Sequence, residues 1–127
     1  MKLADSQVRA VKEYLALLET VEEGLDYVEE SFTDYEKTEG DVVLSDIITA
    51  FMELEETHVR FRDLFAKDPV LVESFNEFKD VLIECLKLED KMEDQNAKQQ
   101  IVKESLSPVY RAWMKGVYEP LSQHLVH

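Results

Sequence analysis

Residues 5–37 read DSQVRAVKEYLALLETVEEGLDYVEESFTDYEK, and this stretch decides the fold. Its apolar side chains fall at Val8, Val11, Leu15, Leu18, Val21, Leu25, Val28, Phe32 and Tyr35, with spacings of 3, 4, 3, 3, 4, 3, 4 and 3. A repeat of about 3.5 residues marks one face of a helix. A stripe with that period turns slowly around a straight helix and favours a left-handed supercoil with neighbours. Asp5 or Ser6 can cap the start. Gly24 sits inside the helix at a cost of about 1 kcal/mol relative to Ala, which close packing against a neighbour would explain.

The same period continues outward. After the break Lys37-Thr38-Glu39-Gly40-Asp41, a second stripe runs through Leu44, Ile47, Ile48, Phe51, Leu54, His58, Phe61 and Phe65. Gly40 can take a left-handed turn there, and Thr38 or Asp41 can cap the second helix. Asp68-Pro69 is a cap followed by a first-turn proline. It opens a third stripe of Leu71, Phe75, Phe78, Leu82, Cys85, Leu86 and Met92. The fourth segment carries Ile101, Val102, Leu106, Val109, Tyr110, Trp113 and Val117. Ser107-Pro108 marks a restart or bend in it. Pro120 cannot donate to the carbonyl of Gly116, which predicts a kink or an end at 116–120.

These patterns predict helices at about 5–37, 41–66, 69–94 and 97–118 within a single domain over 1–127. Short connections force consecutive helices to run antiparallel. The fold class expected is all-α, an up-down-up-down four-helix bundle. The alternative is a dimeric three-helix bundle in which the third and fourth segments form one long bent helix. Leu17, Met52, Val72 and Ile83 lie off their main stripes, and a homodimer would bury them.

Composition narrows the function. The 127 residues hold 14 bases and 28 acids, one Cys, three Gly and three Pro. A single Cys forms no internal disulfide, so a disulfide scaffold is excluded. An apolar share of 45% excludes a wholly disordered chain despite the net charge of −14. Apolar runs are too short for a membrane span. The start MKLADSQVRAVKEY has no apolar signal core, so a cytoplasmic protein is expected. The acidity argues against direct contact with nucleic acid or an anionic membrane. It is also uneven: residues 1–57 hold four bases against sixteen acids, and residues 58–127 hold ten against twelve.

Three features are candidates for function. Glu19, Glu23, Asp26, Glu30 and Asp34 recur at spacings of 4, 3, 4 and 4. They lie within a wedge of about 80° on the side away from the apolar stripe. Such a row can steer a basic partner or copy a phosphate backbone. Tyr110, Trp113 and Tyr118 combine large apolar bodies with polar tips, which suits anchoring at an interface. Glu55 and His58 form a Glu-x-x-His pair, half of the ligand pattern of a dimetal bundle. The other histidines, His124 and His127, have no Glu three residues earlier, and the inward positions opposite are Phe75 and Phe78. A metal centre is therefore not expected, and no cofactor is implied. Cys85 on an apolar stripe reads as an inert buried thiol. No phosphate loop or nucleophile elbow is present in the sequence.

The segment Leu18-Glu19-Thr20-Val21-Glu22-Glu23-Gly24-Leu25-Asp26-Tyr27-Val28-Glu29-Glu30, with Leu44-Ser45-Asp46-Ile47-Ile48-Thr49-Ala50-Phe51, resembles small uncharacterised acidic helical proteins of Bacillus-type bacteria. The resemblance covers the first half of the chain and implies a bacterial cytosolic helical protein without assigning an activity. In size, acidity and architecture the chain is also similar to flagellar export chaperones of the four-helix type.

The function expected is a non-enzymatic, adaptor-like or chaperone-like bundle that binds another protein, one that is basic or presents an amphipathic helix. Glu19, Glu23, Asp26 and Glu30 would steer it, and Tyr110, Trp113 and Tyr118 would anchor it. The alternatives are an acidic inhibitor that mimics nucleic acid, and a metal-binding bundle through Glu55 and His58.

Overall fold

A computed structural model describes residues 2–125 of the chain; His127 lies outside them. Four helical rods form an up-down-up-down bundle. They are α1 (Asp5–Ser31), α2 (Gly40–Leu64), α3 (Pro69–Leu86) and a fourth rod of three parts. The fourth rod comprises α4 (Gln95–Ile101), a π-helical turn (Val102–Leu106) and α5 (Ser107–Ser122), and ends in a 3-10 turn at Gln123–Leu125. Each rod packs on its neighbours in the chain, and α5 closes the ring against α1. The core is the sum of the four predicted stripes. Val11, Leu18, Leu25, Leu44, Phe51, Leu54, Phe75, Phe78, Tyr110 and Val117 are all fully buried in it.

Several boundaries differ from the sequence reading. The cap of α1 is Ala4, whose backbone N–H donates to Gln7 Oε1 at 2.8 Å, in place of Asp5 or Ser6. The helix stops at Ser31, short of 37. There Asp34 Oδ1 accepts from the Glu36 backbone N–H at 3.0 Å, a local turn that competes with the helical ladder. Tyr35 is consequently 96% exposed and is no part of the stripe. No glycine among the described residues has a positive φ. Gly40 opens α2 and is required for a different reason: a Cβ there would collide with Ser31 Oγ. Gly24 is explained by packing, since a Cβ would lie 3.1 Å from Ile47 Cδ1. Asp68 caps α3 as expected, accepting from Leu71 N–H at 3.2 Å.

The long bent third helix of the alternative does not form. The chain leaves α3 at Leu86, turns inward at buried Leu88 and reverses through Asp90, whose φ is 65°. Asp94 then caps α4, accepting from Ala97 N–H at 3.1 Å. Lys98 clasps this connection. It is 2% exposed, and its Nζ donates to Met92 O at 2.9 Å and Asp41 Oδ1 at 2.6 Å. The connection is thereby fastened to the first turn of α2.

The fourth rod passes both prolines. The π turn immediately precedes Ser107-Pro108, and its wider pitch gives the proline ring room past the Glu104 carbonyl. At Pro120 the helix continues to Ser122, against the expected kink or end. Pro120 leaves the Gly116 carbonyl without its helical donor, and Ser74 Oγ of α3 supplies one at 3.3 Å. A tertiary bond thus replaces the missing local one.

This exchange is testable by urea denaturation. Ser74→Ala is expected to cost about 1–2 kcal/mol. In a Pro120→Ala background, where residue 120 regains its N–H, the same change costs markedly less. Equal costs in both backgrounds would refute the compensation. Gly116→Ala, at a site with open space around it, is expected to stabilise by about 1 kcal/mol.

Candidate functional site

The centre of the bundle is a polar group in an aromatic box. His58 of α2 is fully buried. Its ring stacks on Phe75 (5.2 Å, 27°) and meets Phe78 edge-on at 4.9 Å, both from α3. Trp113 of α5 lies 5.6 Å away, and Tyr14 of α1 lies 5.5 Å away. One histidine therefore touches an aromatic ring from each of the other three rods. Its Nε2 shares a hydrogen bond of 2.7 Å with Tyr14 Oη. Nδ1 makes no hydrogen bond and points to Glu55 Oε2 at 4.0 Å. A carboxylate there favours the tautomer with the proton on Nδ1, so that Tyr14 Oη donates to Nε2.

Burial, with a smaller push from the Arg62 charge, lowers the His58 pKa to about 3. The imidazole is neutral at pH 7. Burial likewise holds the Tyr14 phenol well above its ordinary range. The pair is a structural hydrogen bond between two uncharged groups. Of the Glu55 and His58 pair, Nε2 is bonded to Tyr14 and Glu55 Oε1 is held by Arg62 Nη2 at 3.2 Å, and no group of three metal-ligating side chains occurs among the described residues. Cys85 is half-buried, and burial pushes its thiol up.

The aromatic anchors also turn inward. Tyr110 is fully buried and donates to the Leu18 carbonyl at 2.7 Å. Trp113 is 7% exposed and donates from Nε1 to the Ser74 carbonyl at 2.7 Å. Neither side chain offers a surface to a partner, which corrects their expected role. Tyr110 caps a backbone carbonyl of α1, and Trp113 forms one wall of the box. Tyr118 is half-buried, and its hydroxyl donates to Glu19 Oε1 at 2.8 Å.

The acidic row is exposed at Glu19, Glu23, Asp26 and Glu30. Its Glu19 and Asp26 stand toward α5. Arg111 of α5 pairs with Asp26 and with Glu29 at 3.1 Å, and Lys37 pairs with Glu30 at 3.5 Å. Tyr118 to Glu19 and Arg111 to Asp26 are each seven residues apart on their rods, as an antiparallel pairing requires. Sequence alone does not join Arg111 to the row, because only its position opposite α1 reveals the pair. On the next rod, Arg111, Lys115 and Glu119 line the hollow beside Glu22.

The other flank of α1 holds a groove against α2 of about 410 Å³. Leu17, Val21, Ile47 and Ala50 form its floor, Gly24 lets the rods approach, and Asp46 and Glu53 stand at its edge. A hollow of about 350 Å³ prolongs it past Leu17 and Glu53 to Glu13 and Arg60. No single stripe announces this groove, because its floor is built from residues at the margins of two separate stripes. A hollow of about 800 Å³ lies at the end of the bundle between α2 and α3. There His124 Nε2 bonds Asp68 Oδ2 at 3.0 Å and its ring packs on Phe65. Burial alone would raise the Asp68 carboxyl, but the bonds from His124 and the α3 backbone outweigh it and hold it low.

Fold and site together define a small acidic four-helix bundle whose rods are cross-linked by hydrogen bonds of His58, Tyr110, Trp113 and Ser74. The chain belongs to the family described as Domain of unknown function (DUF8042), whose match spans residues 9–116. It is 31% identical over 115 residues to the uncharacterized protein YvzG of Bacillus subtilis (strain 168), covering 90% of each chain. No solved structure matches it. No helix among the described residues is long and apolar enough to cross a membrane.

The buried histidine makes stability depend on pH. In the unfolded chain His58 takes up a proton near pH 6.5, whereas in the fold it does so only near pH 3. Its contribution is complete above pH 6.5 and is lost as pH falls from there toward 3. At about 1.4 kcal/mol per unit the loss approaches about 5 kcal/mol. Denaturation midpoints measured between pH 7.5 and 4.5 should fall for the natural protein. They should stay nearly level for Tyr14→Phe/His58→Leu, which removes both partners. Parallel curves would contradict a neutral buried imidazole.

Proposed function

We propose that the protein is a non-enzymatic binding bundle that receives an amphipathic, basic helix of another protein in the groove between α1 and α2. The observation that carries this reading is the composition of that groove: an apolar floor of Leu17, Val21, Ile47 and Ala50 with Asp46 and Glu53 on its edge. A helix lays its apolar face into such a groove and its basic residues onto the carboxylates. Glu23 and Glu30, exposed on the outer side of α1, add to the field that draws a basic partner in. The interior supports the same reading, since its histidine, tyrosines and tryptophan are occupied by structural bonds. An adaptor or a chaperone for a helical client fits this arrangement, acting in the cytoplasm.

Immobilised protein exposed to lysate of its native cell tests the proposal. The natural chain is expected to retain a specific basic protein at low salt and release it as salt is raised through about 0.5 M, where exposed charges are screened. Asp46→Lys/Glu53→Lys, a change of two exposed side chains, should abolish capture. Glu23→Lys/Glu30→Lys should slow capture without abolishing it. Undiminished capture by the Asp46/Glu53 variant would remove the groove from consideration.

A further inference from the structure

A second surface has a different character. Seven large apolar side chains are prominent for their exposure among the described residues, and four of them, Met52, Val59, Ile83 and Leu86, belong to the outer face of α2 and α3. Arg62 Nε donates to Asn76 Oδ1 at 2.8 Å and fixes the register of these antiparallel rods. Ten residues before Arg62 and ten after Asn76, Met52 and Leu86 come level. Counted in the same way, Ile83 comes level with Glu55, midway between Met52 and Val59.

The charges of this face largely close on one another. Glu55 pairs with Arg62 at 3.2 Å and Glu84 with Lys87 at 2.6 Å, and Lys79 adds a positive charge beside Val59. Glu56, Asp63 and Asp80 stand at its outer edges. In a chain of net charge −14, most surfaces repel another copy. This one combines exposed apolar groups with three bases against five acids, a smaller imbalance than that of the chain as a whole.

We infer that the α2–α3 face is a self-association surface, whose partner is a second copy of this chain. A two-fold axis lying in the face at the level of Ile83 brings Met52 of one copy over Val59 of the other, and exchanges them. It also sets Ile83 beside its own mate. The apolar pairs that this axis makes are isologous, as a two-fold dimer requires. The face measures about 27 Å, the length of α3, by about 20 Å for two helix widths. It therefore covers on the order of 500 Å² per copy, at the low end for a specific complex. The dimer expected is a reversible one with a dissociation constant in the range of about 1–100 µM.

Sedimentation velocity on the full chain from about 1 to 500 µM in moderate salt tests this, with that constant as the expected reading. Met52→Glu/Leu86→Glu should weaken association at least about 100-fold, with helical circular dichroism and melting unchanged because both side chains are exposed. Ile83→Cys in a Cys85→Ala background should form a disulfide-linked dimer on mild oxidation, whereas Val59→Cys should not. Asp46→Lys/Glu53→Lys should leave self-association untouched, so that failure of the groove and failure of the dimer are read separately. A natural chain that stays monomeric throughout overturns the inference. So does a dimer that survives in the Met52/Leu86 variant, or a monomer that uses this face to capture a different protein.

Discussion

The structure depends on placing a single neutral imidazole at the centre of an aromatic box. A histidine buried there must stay uncharged, because an ion in such a site would lose its hydration without a compensating partner. His58 meets that condition through one hydrogen bond to Tyr14 and ring contacts with Phe75, Phe78 and Trp113. These contacts come from all three other rods, so the position of each rod is referred to one side chain. An aliphatic residue would pack as well but would not select one register. The Tyr14 hydroxyl finds its acceptor at only one level of α2. Unlike a buried ion pair, this pairing carries no charge, and its cost appears only when acid offers the imidazole a proton.

Three other side chains of the interior are tied across rods in the same way: Tyr110 donates to the Leu18 carbonyl, Trp113 to that of Ser74, and Ser74 to that of Gly116. The last of these makes a proline tolerable near the end of α5. Lys98 does the same for the connection between α3 and α4 by joining Asp41 to the carbonyl of Met92. Buried polar groups that are fully bonded add uniqueness to a core that apolar volume alone would leave adaptable.

The rods and their inward faces are legible from periodicity alone, because each stripe is a property of one segment. His58 is visible as a core position for that reason, and so are Phe75 and Phe78 opposite it. The illegible features depend on two segments at once. Tyr110 and Trp113 resemble anchors because their type suits interfaces; only the packing of α5 between α1 and α3 reveals where their polar tips go. The acidic row reads as unrelieved because Arg111 lies 85 residues from Asp26 in the chain. The ends of helices shift where a local bond, such as Asp34 to Glu36, overrides a stripe that continues in sequence.

Antiparallel pairing also explains why the strong charge asymmetry does not produce one acidic surface. The acids of α1 point both ways around the rod. Those toward α5 meet Arg111 and the Tyr118 hydroxyl, which consumes much of their field. On the side toward α2, Glu13 shares a hollow with Glu53, and the groove takes its carboxylates, Asp46 and Glu53, from α2. Net charge in the first 57 residues is therefore a poor guide to the electrostatic potential at any one place. The potential is set by which rod stands beside which, and the topology puts bases beside one flank and carboxylates beside the other. The α2–α3 face, where Glu55 and Glu84 find Arg62 and Lys87, completes the division. Three flanks of one bundle thus differ in kind: one internally neutralised by α5, one acidic with an apolar floor, and one apolar with closed ion pairs.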